Sequence, residues 1–194
     1  MTTSASSSED DDNNNKQKLE QKLGEAIGLE MAAQKAVEEL SSKGLLDKGG
    51  MKNKLEKMKK EANNHQTKLE GLINKLSSQS SKRGGEGEEG EEQRTGTLNS
   101  DNILESATET EQKASQMMQT YLGNEPDSSE AIEFLCLAEA GELTHYEVLD
   151  AMMKKSKFIK NKQQLATQIR SILGQEKKHL QLCTKLAKQN AILQ

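Results

Sequence analysis

Apolar residues recur every three or four positions in five segments of the chain, which is the spacing of one face of an α-helix. The stripe of the first segment, which begins at about Lys16, is Leu19, Leu23, Ile27, Glu30, Gln34 and Val37. The stripe of the second segment is Met51, Leu55, Met58, Ala62, His65, Leu69, Leu72 and Leu76. Gly24 and Gly28 in the first segment would let a neighbouring helix approach closely. The pattern predicts two helices whose buried faces include a glutamate and a histidine.

The second half of the chain carries three further helical patterns. In the third helix, predicted over about residues 102–122, the inward positions are Ile103, Ala107, Ala114, Met117, Met118 and Tyr121. Asp127 and the serines after it offer an N-cap to a fourth helix, predicted to run to about Ile159. The fifth helix starts at about Gln163, and its stripe is Leu165, Ile169, Ile172, Glu176, Leu180, Cys183 and Ala187.

Two polar segments of low complexity divide the chain. Residues 1–15 are rich in Ser, Asp and Asn, and they predict a disordered acidic tail. Residues 77–101 are rich in Ser, Gly and Glu, and they predict a flexible acidic linker. We expect one helical bundle over residues 16–194, in which this linker is the long crossover between two antiparallel helix hairpins. Two separate hairpins joined by a tether are the alternative.

The composition favours an all-α fold and excludes several functional classes. Aromatic residues make up only 2% of the chain and there is a single proline, so few strand-forming residues are available. A net charge of −4 gives no basic footprint for nucleic acid. No apolar run approaches the ~18 residues of a membrane span. The two cysteines lack metal-ligand spacing and predict free thiols in a reducing cytoplasm.

Each of the three histidines follows a glutamate by one helical turn, as Glu61/His65, Glu142/His145 and Glu176/His179. Residues three or four apart share a helix face, so each pair can present an oxygen and a nitrogen to one point. Glu176 lies at the centre of an apolar stripe, where a carboxylate is costly unless it is paired or bound to a metal. The pairs therefore predict a carboxylate/histidine metal site.

Antiparallel hairpins would bring these side chains to matching depths in the bundle. A turn near residues 44–50 places Glu30 level with Glu61 and His65, and a turn near Asn161 places Glu147 level with Glu176. In the fourth helix, periodicity favours Glu142 as the inward residue whereas the hairpin register favours Glu147, and the sequence leaves both open. The candidate metal ligands are Glu30, Glu61, His65, Glu142, Glu147, Glu176 and His179. Mixed oxygen and imidazole ligands suit iron or manganese.

The fourth helix, with His145-Tyr146-Glu147, resembles the corresponding helix of the YciF-like branch of the ferritin-like superfamily. The resemblance extends to residues 61–70 and to residues 175–177, and covers about residues 17–192. It implies a ferritin-like four-helix bundle with one additional helix, a dimer, and a role in stress protection. It also implies a set of ligands, namely Glu30, Glu61, His65, Glu147 and Glu176. Thr144 departs from the family, which commonly has a glutamate before the His-Tyr pair.

Two functions follow as expectations. The first is a cytoplasmic, ferritin-like protein with a mono- or di-iron (or manganese) site that oxidises Fe²⁺ or reacts with oxygen or peroxide. The second is a metal-free helical bundle that acts as a protein–protein interaction or structural module, which the departure at Thr144 favours. An extended coiled coil would leave the Glu and His residues inside the stripes unexplained.

Overall fold

The part of the chain that the structure describes folds into five helices. This computed structural model describes residues 6–47, 50–78, 98–156, 159 and 162–192, with the backbone alone over residues 6–12. The elements are α1 (Ser6–Ser42), α2 (Met51–Ser78), α3 (Ser100–Leu122), α4 (Ser128–Lys155) and α5 (Gln163–Ile192). These ranges contain no strand, so the predicted all-α bundle is confirmed. No helix among them is long and apolar enough to cross a membrane.

Helix α1 begins at Ser6, within the segment for which the sequence predicts a disordered tail. A helix satisfies its backbone hydrogen bonds internally, so it can extend beyond the buried part of the chain without an apolar partner. The low apolar content of this segment therefore did not exclude helix over residues 6–15. Residues 1–5 and most of the predicted linker, residues 79–97, lie outside the described residues.

Local side-chain caps explain where α3 and α4 begin. The Asn99 side chain accepts hydrogen bonds from the first backbone N–H groups of α3. Asp127 accepts from the Ser129 and Glu130 backbone, and the Glu130 carboxylate accepts from the Asp127 N–H in return. This reciprocal capping box confirms the predicted N-cap. Helix α4 ends at Lys155, before the predicted Ile159, because Ser156 leaves the helix with extended backbone angles.

Side-chain pairs fix the directions of the helices. Between α1 and α2, Glu30 contacts His65 and Glu38 contacts Lys59, and between α4 and α5, Glu147 contacts Lys177 and Asp150 contacts Arg170. Residue numbers rise in one helix as they fall in the other, so each predicted hairpin is antiparallel. Helix α3 instead runs parallel to α1, beside Gly24 and Gly28. A Cβ atom at either glycine would come closer than 3.0 Å to a backbone oxygen of α3. The predicted close approach is confirmed, and its partner is α3.

The core consists of two apolar clusters separated along the bundle. The first cluster contains the apolar residues of α1 between Leu19 and Ile27, together with apolar residues of the other helices that pack against them. The second cluster contains Leu40 of α1, Leu55 of α2 and the apolar residues around them. Between the two clusters, α1, α2, α4 and α5 place buried polar side chains at the same depth. We call this region the polar layer, and its members are Glu30, His65, Glu139, Glu142, Glu176 and His179.

Two residues predicted to face inward lie on the surface of α3. Met117 is 68% exposed and Tyr121 is 49% exposed, whereas Ile103, Ala107 and Met118 are buried as predicted. Helix α3 packs mainly along α1 and has little contact with α4. One edge of its apolar stripe is therefore left uncovered.

Candidate metal centre

The polar layer contains four carboxyl groups and two imidazoles, drawn from α1, α2, α4 and α5. Burial of ionised groups without compensation is costly, so such a layer needs protons or cations. Within the described ranges, no lysine or arginine nitrogen lies within 4.0 Å of a carboxylate of Glu30, Glu139, Glu142 or Glu176. The negative charge can therefore be compensated by protonated imidazoles or by a bound cation, or it can be removed by protonation of the carboxyl groups.

The first half of the layer is centred on His65. Its Nδ1 atom lies 3.1 Å from Glu30 Oε1 and 3.1 Å from Glu176 Oε1. A ring nitrogen carries one hydrogen, so it can donate to only one of these two oxygens at a time, and Glu176 Oε1 has no hydrogen-bond donor. Ligand atoms of Glu30, His65 and Glu176 all lie within 4.8 Å of one another, which is a spacing that a metal ion can fill.

The second half of the layer repeats this arrangement around His179. Its Nδ1 atom lies 3.3 Å from Glu176 Oε2 and 3.7 Å from Glu139 Oε2. Ligand atoms of Glu139, Glu176 and His179 again lie within 4.8 Å of one another. Glu176 thus belongs to both groups, with one oxygen towards each histidine. The two imidazole rings are stacked, with their centroids 6.0 Å apart.

In both histidines, Nδ1 points to the centre of the polar layer, and Nε2 contacts an acceptor on the outer side of the ring. His65 Nε2 lies 2.8 Å from Gln175 Oε1, and His179 Nε2 lies 2.8 Å from Glu61 Oε2. An acceptor on the outer nitrogen fixes the tautomer that leaves the inner nitrogen free to bind a metal. Glu61 is about one-third exposed and lies outside both groups of ligand atoms, so the structure places this predicted ligand behind His179.

Burial and mutual repulsion change the proton affinities of the carboxyl groups. Burial raises the pKa of Glu30 to about 7, with the Glu176 charge acting in the same direction. The pKa values of Glu139 and Glu142 are raised well above the usual range, mainly by burial and then by the neighbouring carboxylates. The neighbouring Glu176 carboxylate, by its charge and its proximity, is one of the groups that raise the pKa of Glu142. In the metal-free layer these three groups therefore hold protons readily.

Glu176 is the exception, since it is the anion that both histidines share. Burial acts to raise its pKa, but the neighbouring imidazoles, His179 at 3.3 Å and His65 at 3.1 Å, outweigh that effect and lower the pKa to about 2. The same contacts, against burial, raise the pKa of His65 to about 10 and that of His179 to about 9. In the metal-free layer, Glu176 is therefore an anion between two imidazolium groups. A bound metal ion would supply the positive charge that these two protons supply here.

Tyr146 holds Glu30 in place. The ring is fully buried, and its hydroxyl donates a hydrogen bond of 2.6 Å to Glu30 Oε1. Burial, together with the Glu30 charge, raises the pKa of Tyr146 well above its usual range, so the hydroxyl keeps its proton. The second oxygen of Glu30, Oε2, has no donor and is left for another partner.

Replacement of Tyr146 by phenylalanine is expected to destabilise the metal-free protein by about 1–3 kcal/mol, because a buried carboxyl oxygen loses its hydroxyl donor. Urea unfolding followed by circular dichroism measures this change. Tyr121→Phe is the matched control, since Tyr121 is half exposed, and we expect its midpoint to be unchanged. Equal midpoints for both variants would show that the Tyr146 hydroxyl contributes nothing to the layer.

The structure brings five of the seven predicted ligands into the polar layer, with Glu61 at its edge, and excludes Glu147. Glu147 lies on the surface, 3.8 Å from Lys177. It has the depth that the hairpin register predicts, but it points to the opposite side of α4 from Glu142. His145 also lies outside the layer and contacts Glu25 Oε2 at 2.6 Å.

Glu139 is the layer residue that the candidate list lacks. It is 1% exposed and lies one helical turn before Glu142, so both carboxyl groups share a face of α4. Its position near the centre of the α4 stripe is the sequence signal for it. The predicted free cysteines are confirmed, with Cys183 buried and Cys136 half-buried.

Compared with models of known protein families, with curated proteins and with solved structures, the chain shows no match.

Proposed function

We propose that this chain is a ferritin-like metal-binding protein that holds one or two iron or manganese ions in the polar layer. The observation that carries the proposal is the pair of three-residue ligand groups that share Glu176. Bundles that bind two metal ions through carboxylates take glutamates from two helices and Glu/His pairs from the other two, all directed inward. Glu30, Glu139 and the Glu176/His179 pair reproduce much of that set.

The donor atoms fit such ions. Three buried carboxyl oxygens, Glu30 Oε2, Glu139 Oε2 and Glu176 Oε1, have no donor among the residues described. Carboxylate oxygen with imidazole nitrogen is a mixed set that suits Fe²⁺ and Mn²⁺, and neither cysteine sulfur takes part. Bound iron or manganese would supply one-electron chemistry towards oxygen or peroxide, which is the activity that the ferritin-like resemblance implies.

The chain's own residues would orient ligands and manage protons. Gln175 and Glu61 fix the outer nitrogens of the two histidines, and Tyr146 fixes Glu30. Protons held by the layer would have to leave when a cation enters, because carboxylate and imidazole bind metals in their deprotonated forms. The two apolar clusters on either side would keep water away from the layer.

One position bears on whether one or two ions bind. The Glu-x-x-His pair of α5 has a counterpart in α2 that ends at His65, but the residue three before it is Ala62. The half of the layer at His65 therefore has one carboxyl group fewer from its own helix. Glu142 belongs to neither ligand group but interacts with both Glu30 and Glu176, so we propose it as the carboxyl group that would compensate. The number of ions bound per chain shows whether both halves of the layer bind a metal or only one.

Metal loading tests the proposal. We expect protein purified from cells supplied with iron or manganese to retain about one or two ions per chain by elemental analysis. Addition of Mn²⁺ or anaerobic Fe²⁺ to stripped protein should raise its melting temperature, since a ligand at a hundredfold excess over Kd stabilises the fold by about 2.7 kcal/mol. Mg²⁺ is the control, because it prefers all-oxygen sites and should act weakly. Substoichiometric metal together with an unchanged melting temperature would refute the proposal.

The competing function is a metal-free helical bundle that serves as an interaction or structural module. It is favoured by the histidine–Glu176 contacts, which can compensate part of the buried charge without a metal. A dimer, a role in stress protection and a cytoplasmic location remain proposals that rest on the family resemblance and the free cysteines. Metal content of the purified protein separates the two functions.

A further inference from the structure

The two halves of the polar layer differ in the residue that lies behind each histidine. His179 Nε2 lies 2.8 Å from Glu61 Oε2, which is a carboxylate oxygen. His65 Nε2 lies 2.8 Å from Gln175 Oε1, which is an amide oxygen. The two distances are equal and the side chains are nearly the same size. The halves therefore differ at this point in charge and not in geometry.

This charge difference affects how strongly each histidine can bind a cation. A hydrogen bond from an N–H group to a carboxylate is roughly twice as strong as one to a neutral acceptor. A histidine that donates its outer N–H to a carboxylate is also a more basic metal ligand through its other nitrogen. His179 thus has the partner that strengthens metal binding, whereas His65 has a neutral one.

The ligand groups themselves differ in the same direction. Each contains one histidine, the shared Glu176 and one further carboxyl group, which is Glu30 at His65 and Glu139 at His179. Glu30 Oε1 accepts a hydrogen bond from the buried Tyr146 hydroxyl, whereas Glu139 Oε2 has no donor. A hydroxyl donor draws charge from the carboxylate that accepts it. Glu30 should therefore attract a cation less strongly than Glu139 does.

We propose that the polar layer binds metal ions in a fixed order, with the first ion at His179 and a second, weaker one at His65, and that Glu61 and Gln175 set this order. Both act as positioning residues, since they contact the histidines from behind and belong to neither ligand group. The inference rests on the proposed function and extends it, because metal binding alone does not require the halves to differ. A chain that holds a single ion holds it at His179.

The test is a titration of the metal-stripped full chain with Mn²⁺, in which the free ion is measured by its electron paramagnetic resonance signal. Two variants change the charge behind each histidine and almost preserve the shape. Glu61→Gln removes the charge behind His179, and Gln175→Glu adds one behind His65. Gln181→Glu is the control, because it adds the same charge at an exposed position of α5.

We expect Glu61→Gln to weaken the first binding step about tenfold, since loss of a residue behind a metal ligand costs about 10–100-fold and glutamine keeps an acceptor. Gln175→Glu should strengthen the second step about tenfold, or create it where the wild type binds one ion. Gln181→Glu should leave both steps unchanged, because salt screens an exposed charge. Circular dichroism checks that each variant is folded.

Further variants assign each step to its half of the layer. Glu139→Gln should remove the first step and Glu30→Gln the second, because each residue belongs to one ligand group. The double variant Glu61→Gln/Gln175→Glu has the net charge of the wild type, so a general effect of charge cannot change its binding. In this background the order should reverse, and Glu30→Gln should then remove the first step.

Three results would overturn the proposed order. They are an unchanged first step in Glu61→Gln, an equal weakening of both steps in that variant, and loss of the first step on Glu30→Gln in the otherwise wild-type chain. Absence of any metal binding to the wild type would instead refute the proposed function, and the order with it.

Discussion

Replacement of Glu176 by glutamine is expected to remove metal binding from both halves of the polar layer at once. Glu176 directs one oxygen to His65 and the other to His179, so it is the only residue common to the two ligand groups among those described. Loss of a residue that hydrogen-bonds to a metal ligand lowers the metal affinity about 10–100-fold. Glu176 is itself a ligand in both groups, so we expect its replacement to lower the metal affinity at least about 100-fold. Elemental analysis of purified protein should then find little bound iron or manganese.

The glutamine is nearly the same size as the glutamate, so the packing of the layer is kept while the charge is lost. Glu147→Gln is the matched control, because Glu147 has the same chemistry at the same depth of the bundle but lies on the surface, paired with the exposed Lys177. We expect its metal content to equal that of the wild type. Loss of metal in Glu147→Gln and retention in Glu176→Gln would reverse the assignment.

The second expected result is an opposite pH dependence of stability with and without metal. In the metal-free protein, the folded-state pKa of Glu30 is about 7 against an ordinary value of 4.5, so its stabilising effect is complete below 4.5 and is lost as the pH rises through 7. His65 and His179 have folded-state pKa values of about 10 and about 9, so their contributions are complete below 6.5 and are lost as the pH rises through those values.

All three groups therefore act in one direction between mildly acidic and alkaline pH. Glu176, with a folded-state pKa of about 2, contributes fully above 4.5 and does not oppose them in this range. Because one pKa unit corresponds to 1.36 kcal/mol, the metal-free protein should lose on the order of several kcal/mol of unfolding free energy between about pH 5 and about pH 8.

Metal-loaded protein should instead gain stability as the pH rises through the ordinary histidine pKa of 6.5, and should then become independent of pH. The same groups must release their protons to bind a cation, so metal affinity and its contribution to stability increase with pH. Urea unfolding with saturating Mn²⁺ and with a chelator, at several pH values across this range, measures both slopes. In Glu176→Gln the two curves should coincide. Parallel curves for the wild type would mean that metal does not displace protons from the layer.

The fold could be predicted from the sequence because each helix carries an apolar stripe of consistent spacing. The hairpin turns then placed Glu30 level with His65, and the 3.1 Å contact between them confirms that register. Glu147 shows the limit of the argument. Register gives the depth of a residue in a bundle, but rotation about the helix axis decides whether it points inward, and for α4 the periodicity towards Glu142 was the correct guide.

Other features depended on information that a stripe does not contain. Met117 and Tyr121 continue the apolar face of α3, but they are exposed because α3 lies beside α1 and leaves α4 uncovered at that edge. Which helices become neighbours is a tertiary property that one helix cannot specify. The position of Glu61 behind His179, likewise, follows from the ring orientation and could not be read from its spacing to His65.

The polar layer also bears on how this chain selects a single packing arrangement. Long helices with repeated leucines can slide past one another by one turn, about 5.4 Å, and still bury apolar surface. Here such a slide would move Glu30 or Glu176 from its histidine partners into a cluster of leucine side chains, leaving an unpaired buried charge. Only 2% of the residues are aromatic and able to make distinctive contacts, so we expect the ionisable side chains of the polar layer to exclude such shifted alignments.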